Sequence, residues 1–204
     1  MRALFPLLAL AATLSACATP IPPVEVTRFH RIDAAHAISP GSVRVSVSDG
    51  SGAASPSLID ASYAAAVSQQ LTALGLRSES ASAAPVDYVA TVVIDRATRT
   101  ADQAGNGVSV GVGGSTGSYG SGLGVGVGLD LTRLFSGGTR EVVTTRMAVR
   151  LTRSGDALPL WEGRAETAAR AGTPAAQPGL DADKLARALF ASFPGQSGQT
   201  VRVP

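Results

Sequence analysis

The 204-residue chain has a single cysteine, a single lysine, a single tryptophan and two histidines. One cysteine cannot close an internal disulfide, and a zinc site wants three or four ligands, so neither staple is expected to hold this fold. With one lysine, the base balance rests on 16 arginines, and the net charge is only +2. Those basic residues are scattered singly rather than clustered on one segment. Nucleic-acid binding needs a basic stripe or face, so that class is set aside. Aromatic residues make up 4% of the chain. No apolar run reaches the ~20 residues that a membrane-spanning helix needs. Neither G-x-G-x-x-G nor G-x-x-x-x-G-K-[ST] occurs, and the lone Lys184 lies near the C-terminus.

The longest apolar run opens the sequence, in MRALFPLLALAATLSAC. Arg2 gives a positive start, residues 3–14 are apolar apart from Thr13, and small residues lead to Cys17. That order is a secretory signal peptide. The closing LSAC resembles the lipobox of bacterial lipoproteins. The resemblance implies cleavage before Cys17 and a diacylglycerol on its thiol, which with an N-acyl chain is enough for stable anchoring. Ala18, not Asp, follows the cysteine. By resemblance to enterobacterial lipoproteins, this favours the outer membrane, with the domain facing the periplasm. Pro20, Pro22 and Pro23 then form a short stalk that favours extended polyproline II. The expected mature protein is a lipidated Cys17 with a stalk over 17–23, one domain over 24–196 and a tail over 197–204.

Within the domain, period-two alternation marks strands. VEVTRFHRI (24–32) is β-rich. SVRVSVSD alternates cleanly, with Val43, Val45 and Val47 on one side. DYVATVVIDRATRT (87–100) is apolar on both faces in its middle, which predicts an interior strand. EVVTTRMAVRLTR (141–153) puts Val143, Met147, Val149 and Leu151 on one face and Thr144, Arg146, Arg150 and Thr152 on the other. LPLWEGRAETAAR follows a turn and places Trp161, Gly163 and Ala165 opposite Glu162, Arg164 and Glu166. Antiparallel pairing of these two would set Arg146 or Arg150 across from the glutamates.

Two helices are expected. The first carries an apolar stripe of Ile59, Tyr63, Val67, Leu71 and Leu74, capped by Ser55 with Pro56 in the first position and stopped by Gly75. The second carries Leu185, Leu189 and Phe193, with Asp181 or Asp183 near its start and Pro194–Gly195 at its end. The predicted fold is α+β: a two-layer sandwich of a mostly antiparallel sheet with both helices on one face.

The middle of the chain is unusual. Residues 105–128 hold 11 of the 23 glycines. Val108, Val110 and Val112 alternate with glycine or serine, and Leu123, Val125, Val127, Leu129 and Leu131 do the same beyond a turn-rich GGSTGSYGSG. This spacing predicts a β-hairpin over 105–131 with one valine face and one bare face. Bare glycine faces pack poorly but permit close approach. Three readings stay open: a loose excursion of the sheet, a docking ridge, or a membrane-inserting hairpin closed only in an oligomer. Val108, Val110, Val112, Tyr119, Val125 and Val127 are the candidate contacts with an envelope partner or a second copy.

Catalytic patterns fail on context. GVSVG and GGSTG both match G-x-S-x-G, but no helix follows and His30 and His36 lie upstream, against the order of that motif. Asp87 and Asp95 share a strand parity but are separated by over 25 Å at ~3.3 Å per residue, and Asp102 lies beyond that strand. Both histidines read as solvated or locally bonded, and Trp161 reads as a core anchor. No catalytic residue, metal or cofactor is expected.

The lipobox, the DYVATVVID strand after an amphipathic helix, the Gly/Val hairpin, the LWEGRAE strand and the final helix together resemble bacterial lipoproteins carrying domain of unknown function 4136. The resemblance spans most of residues 24–194. SVRVSVSD lacks the aromatic residues of that family's early strand. The resemblance implies an α+β envelope lipoprotein and supplies no catalytic residues. The expected function is a non-enzymatic, acyl-anchored binding or accessory module. The alternative is an oligomeric secretion or pore component that inserts the hairpin into the outer membrane.

Overall fold

A computed structural model describes residues 22–33, 37–48, 57–80, 85–100 and 141–204. Cys17, His36, Asp102 and the hairpin residues Val108, Val110, Val112, Tyr119, Val125 and Val127 lie outside the described residues. The fold is α+β, an open seven-stranded mixed sheet with two helices.

In chain order the elements are β1 (Val24–His30), β2 (Ser42–Val47), α1 (Leu58–Ala73), β3 (Arg77–Glu79), β4 (Tyr88–Thr100), β5 (Glu141–Arg153), β6 (Trp161–Arg170) and α2 (Pro178–Phe190). A 3-10 turn (Pro174–Ala176) precedes α2, and β7 (Thr200–Val203) follows it. The sheet order is β3-β2-β4-β5-β6-β1-β7. β4, β5, β6, β1 and β7 pair antiparallel in turn. β2 departs from the antiparallel expectation, because it runs parallel to both neighbours, β3 and β4. The reason is α1, which carries the chain back along the sheet so that the next strand starts from the same end as β2.

The capping of α1 also differs from expectation. Ser57, not Ser55, is the N-cap. Its hydroxyl accepts from the Asp60 amide at 3.1 Å, and the Asp60 carboxylate accepts from the Ser57 amide at 3.0 Å. This reciprocal pair satisfies two amides that the first turn leaves open. Gly75, at φ +90°, ends the helix as expected. Of the predicted stripe, Tyr63, Val67 and Leu71 are buried, whereas Ile59 and Leu74 at its two ends are 46% and 43% exposed. Residues 200–203, read as tail, form the edge strand β7 against β1.

Both helices pack on each other, α1 also against β2, β3 and β4, and α2 against β1 and β6. The core joins Val24, Val26, Val43, Ala90, Val92, Met147, Val149, Leu151, Trp161 and Ala165 to Tyr63, Val67, Leu71, Leu185 and Leu189. From Arg146 to Leu151 on β5 and from Trp161 to Thr167 on β6 the buried parity is the one the alternation predicts, whereas Val142, Thr144 and Ala168, of the opposite parity, are buried as well.

Trp161 is fully buried. Its ring lies 5.2 Å from both Phe190 and Phe193, and its Nε1 donates to the Pro194 carbonyl at 3.0 Å. Gly163, two residues on and on the same face, leaves the space the indole occupies. A Cβ there would stand 2.3 Å from Trp161 Cη2 and 2.7 Å from Leu189 Cδ1. The α2 C-terminus is held from below by Arg28. Buried on β1, it donates from Nε to the Leu189 carbonyl and from Nη2 to the Ala188 carbonyl, each at 2.8 Å. These are carbonyls that a helix end leaves without intrahelical partners. Burial lowers the Arg28 pKa from the usual guanidinium value.

Gly163→Ala should overpack this contact and cost about 1–3 kcal/mol. Urea denaturation checks it, and an unchanged midpoint would show that Trp161 does not depend on the bare position.

Candidate functional site

Two groupings of polar side chains stand out among the described residues, one on each face of the sheet. The first lies on the helix side. Arg96 on β4 has the same parity as Tyr88, Ala90, Val92 and Ile94, so it points into the layer beneath the helices. In register beside it are Thr145 on β5 and Thr167 on β6, followed by Val24 on β1 and Val203 on β7. Above this row sit Tyr63 of α1 and Asp181 and Lys184 of α2.

Asp181 is almost wholly buried. Its Oδ2 accepts from the Thr145 hydroxyl at 2.5 Å and lies 3.3 Å from Arg96 Nη1. The same Nη1 lies 3.5 Å from the Tyr63 hydroxyl, and Nη2 donates to the Ala176 carbonyl. Asp181 Oδ1 is buried with no hydrogen-bond partner. Lys184 donates to the Thr167 hydroxyl at 2.7 Å and to the Pro22 carbonyl at 3.1 Å, and the Thr167 hydroxyl donates to the Pro23 carbonyl at 3.1 Å. Lys184 and Thr167 therefore tie the last residues before β1 to α2 and β6, beside the Asp181, Thr145 and Arg96 group that joins α2, β5 and β4.

Burial pushes the Asp181 carboxyl above its usual value, against the opposing pull of Thr145, Lys184 and Arg96. Burial lowers the Lys184 ammonium, and Asp181 opposes that shift. Burial also raises the Tyr63 phenol, helped by the Asp181 charge. Among the described residues, no three of His, Cys, Asp and Glu assemble as a metal site.

The second grouping covers the opposite face. One row across five strands reads Asp95, Arg146, Glu166, Glu25 and Arg202. Arg146 reaches both Glu166 oxygens, at 2.9 and 3.2 Å, and lies 3.4 Å from Asp95. These acidic partners raise the Arg146 pKa, Glu166 chief among them. Arg202 meets Glu25 at 2.6 Å. Two rows away, Arg150 lies 3.4 Å from Glu162, which Arg164 also contacts at 2.8 Å. The arginine–glutamate facing predicted for these strands is thus present. The exposed pairs contribute about 0–1 kcal/mol each, whereas the Glu25 side chain is buried and its Oε2 has no hydrogen-bond partner, so that pair carries a desolvation cost.

The remaining sequence candidates lie apart. His30 Nε2 sits 3.1 Å from the Gly195 carbonyl, and its Nδ1 accepts from the Ile32 amide at 3.3 Å. Asp87 accepts from the Ser42 amide and hydroxyl, both at 2.7 Å, and these bonds hold its pKa below the usual range. Asp95 is on the ion-paired face. The structure does not bring Asp87, Asp95 and His30 together. A shallow groove lined by Arg28, Ser192, Gly195, Gln199 and Val201 runs beside the α2 C-terminus, with the Arg28 guanidinium already bonded to the helix carbonyls. Among the described residues no helix is long and apolar enough to cross a membrane.

The inward Arg96 and Asp181 escaped the sequence reading. The signal that could have found them is parity. Arg96 continues the apolar series of β4 and Thr145 that of β5, so each breaks an otherwise buried face.

No family model matches this chain. An uncharacterized protein of Zymomonas mobilis subsp. mobilis is 38% identical over 65 residues, which is 32% of this chain and 24% of that protein. The match thus spans about a quarter of that relative's length. Two structures of the PelC dodecamer from Paraburkholderia phytofirmans align with this chain at a TM-score of 0.46 and 11% identity, over 86% of this chain and 99% of theirs.

Asp181 gives the network a pH signature. Its folded pKa is raised, so its contribution to stability is present below the unfolded value and is lost as pH rises through the folded one. Between about pH 4 and neutrality, wild-type stability should therefore fall relative to Asp181→Asn, at up to about 1.4 kcal/mol per pH unit. Urea titrations of both proteins across that range check it, and parallel curves would refute it.

Proposed function

We propose that this protein is an acyl-anchored lipoprotein of the cell envelope, a non-enzymatic binding or accessory module held at the outer membrane by lipid on Cys17. The observation that carries this reading is the run of apolar residues 3–14 ending in LSAC, with Cys17 the chain's single cysteine. The proline stalk supports it, because residues 18–23 lead from that thiol directly into β1. In this reading the domain is a two-layer sandwich, with residues 105–131 as a Gly/Val hairpin that offers Val108, Val110, Val112, Tyr119, Val125 and Val127 to an envelope partner or a second copy. The ion-paired sheet face supports a binding role. Its paired arginine and acidic side chains would favour a partner of complementary charge and disfavour others.

A second reading has the hairpin entering the outer membrane in an oligomeric secretion or pore component. The alternation of valine and glycine over 107–112 and 123–128 favours it.

Cys17→Ser should abolish incorporation of labelled palmitate and move the protein from the membrane pellet to the soluble fraction. Equal labelling and sedimentation of the variant would end the lipoprotein reading.

A further inference from the structure

The fold has two distinct ends, and the stalk enters at one of them. β1 begins there at Val24. Thr100 and Glu141, the paired last and first residues of β4 and β5, lie at that same end, because Arg96, Thr145, Thr167 and Val24 form one row and β4 runs four residues past it. Both helices also start there. Tyr63, near the beginning of α1, and Asp181, near the beginning of α2, both meet Arg96. The helices then run together toward the opposite end, where Leu76 follows α1, Trp161 stacks on Phe190 of α2, and the β5–β6 turn lies.

The first turns of the two helices carry large apolar side chains that the core does not take up. Leu58 is 92% exposed, Leu180 55% and Ile59 46%. Leu58 precedes Tyr63 by five residues, which places it about 7.5 Å further toward the stalk end. Leu180 directly precedes the buried Asp181 on α2.

We propose that this end of the domain, through Leu58, Ile59 and Leu180, rests on the lipid surface of the membrane that holds the anchor. The inference rests on acylation of Cys17. The length of the connection selects lipid as the occupant. From Cys17 to Val24 the chain has seven steps, at most about 25 Å when fully extended. Val24 can therefore stand no further than that from the headgroups. Lys184 and Thr167 hold the carbonyls of Pro22 and Pro23, so the last stalk residues are fastened to the domain rather than left to pivot. A domain fixed so close to a surface meets it at high effective concentration. Under those conditions a few exposed aliphatic side chains reach the boundary between headgroups and acyl chains. The opposite end also exposes leucine, at Leu74 and Leu158, but the body of the domain separates those residues from the stalk. They serve as internal controls.

The test uses the full-length acylated protein. With Cys17 acylated, a cysteine introduced by Leu58→Cys, Leu180→Cys, Leu74→Cys or Leu158→Cys is the free thiol. Each takes a polarity-sensitive fluorophore before reconstitution into vesicles of phosphatidylethanolamine and phosphatidylglycerol containing brominated lipid. Quenching several-fold greater at positions 58 and 180 than at 74 and 158 is expected. Equal quenching at all four, stronger quenching at 74 and 158, or a blue shift at 58 and 180 without lipid quenching would overturn the inference. The last of these outcomes indicates a protein surface instead. Flotation of the unlabelled protein separates the two levels of the argument. Protein that floats through Cys17 but shows no quenching at 58 and 180 refutes only the lipid contact. Protein that fails to float refutes both.

Discussion

Trp161 can lie flat under the end of α2 because position 163 has no side chain. The indole fills the space a Cβ would enter, stacks on Phe190 and Phe193, and bonds to the Pro194 carbonyl. In a chain with 4% aromatic residues, three of them converge at this point. Much else follows from it. The aromatic stack packs where α2 ends, Arg28 on β1 donates to the last-turn carbonyls of Ala188 and Leu189, and the chain then turns so that β7 can pair along β1. A bulky residue at 163 would displace the indole and disturb helix, cap and edge strand together.

The two faces of the sheet treat charge differently. On the face opposite the helices, arginines pair with acidic side chains at or near the surface, at little energetic consequence except at Glu25, which is buried with one carboxylate oxygen unpartnered. On the helix face, Asp181, Arg96 and Lys184 sit where desolvation is expensive, and an Asp181 oxygen has no partner. Buried ion pairs of this kind seldom add stability over a well-packed apolar core. Tyr63, Arg96, Thr145 and Asp181 meet only when both helices and two strands are in place, and Lys184 and Thr167 meet the stalk carbonyls from α2 and β6.

Much of this was legible in the sequence, and particular residues show why. The alternation in 141–153 and 161–166 is long and clean, so the burial of Met147, Val149, Leu151, Trp161 and Ala165 and the facing of Arg146 with Glu166 followed directly. The stripe of α1 was readable in its middle, and Gly75 marked its stop. β3 escaped because Arg77–Glu79 is three residues long with no apolar member, and β7 because four residues carry too little pattern. The parallel placement of β2 could not be read from any strand by itself. It depends on where α1 returns the chain. Arg96, Thr145 and Asp181 are 36 to 85 residues apart and each resembles an ordinary surface residue locally, so their meeting appears only once the register is known. Cys17 and the Gly/Val contact residues were readable as pattern and lie outside the described residues.

Thirteen residue pairs join β4 to β5, from Tyr88 with Arg153 to Thr100 with Glu141. A side-chain period of two makes a one-residue slip in that ladder ruinous, since every buried group would turn outward. The alignment of these two strands is therefore written in their own side chains. The entropy of closing such a connection grows only as the logarithm of its length. Insertions and deletions between Thr100 and Glu141 can thus accumulate with little penalty to the sheet.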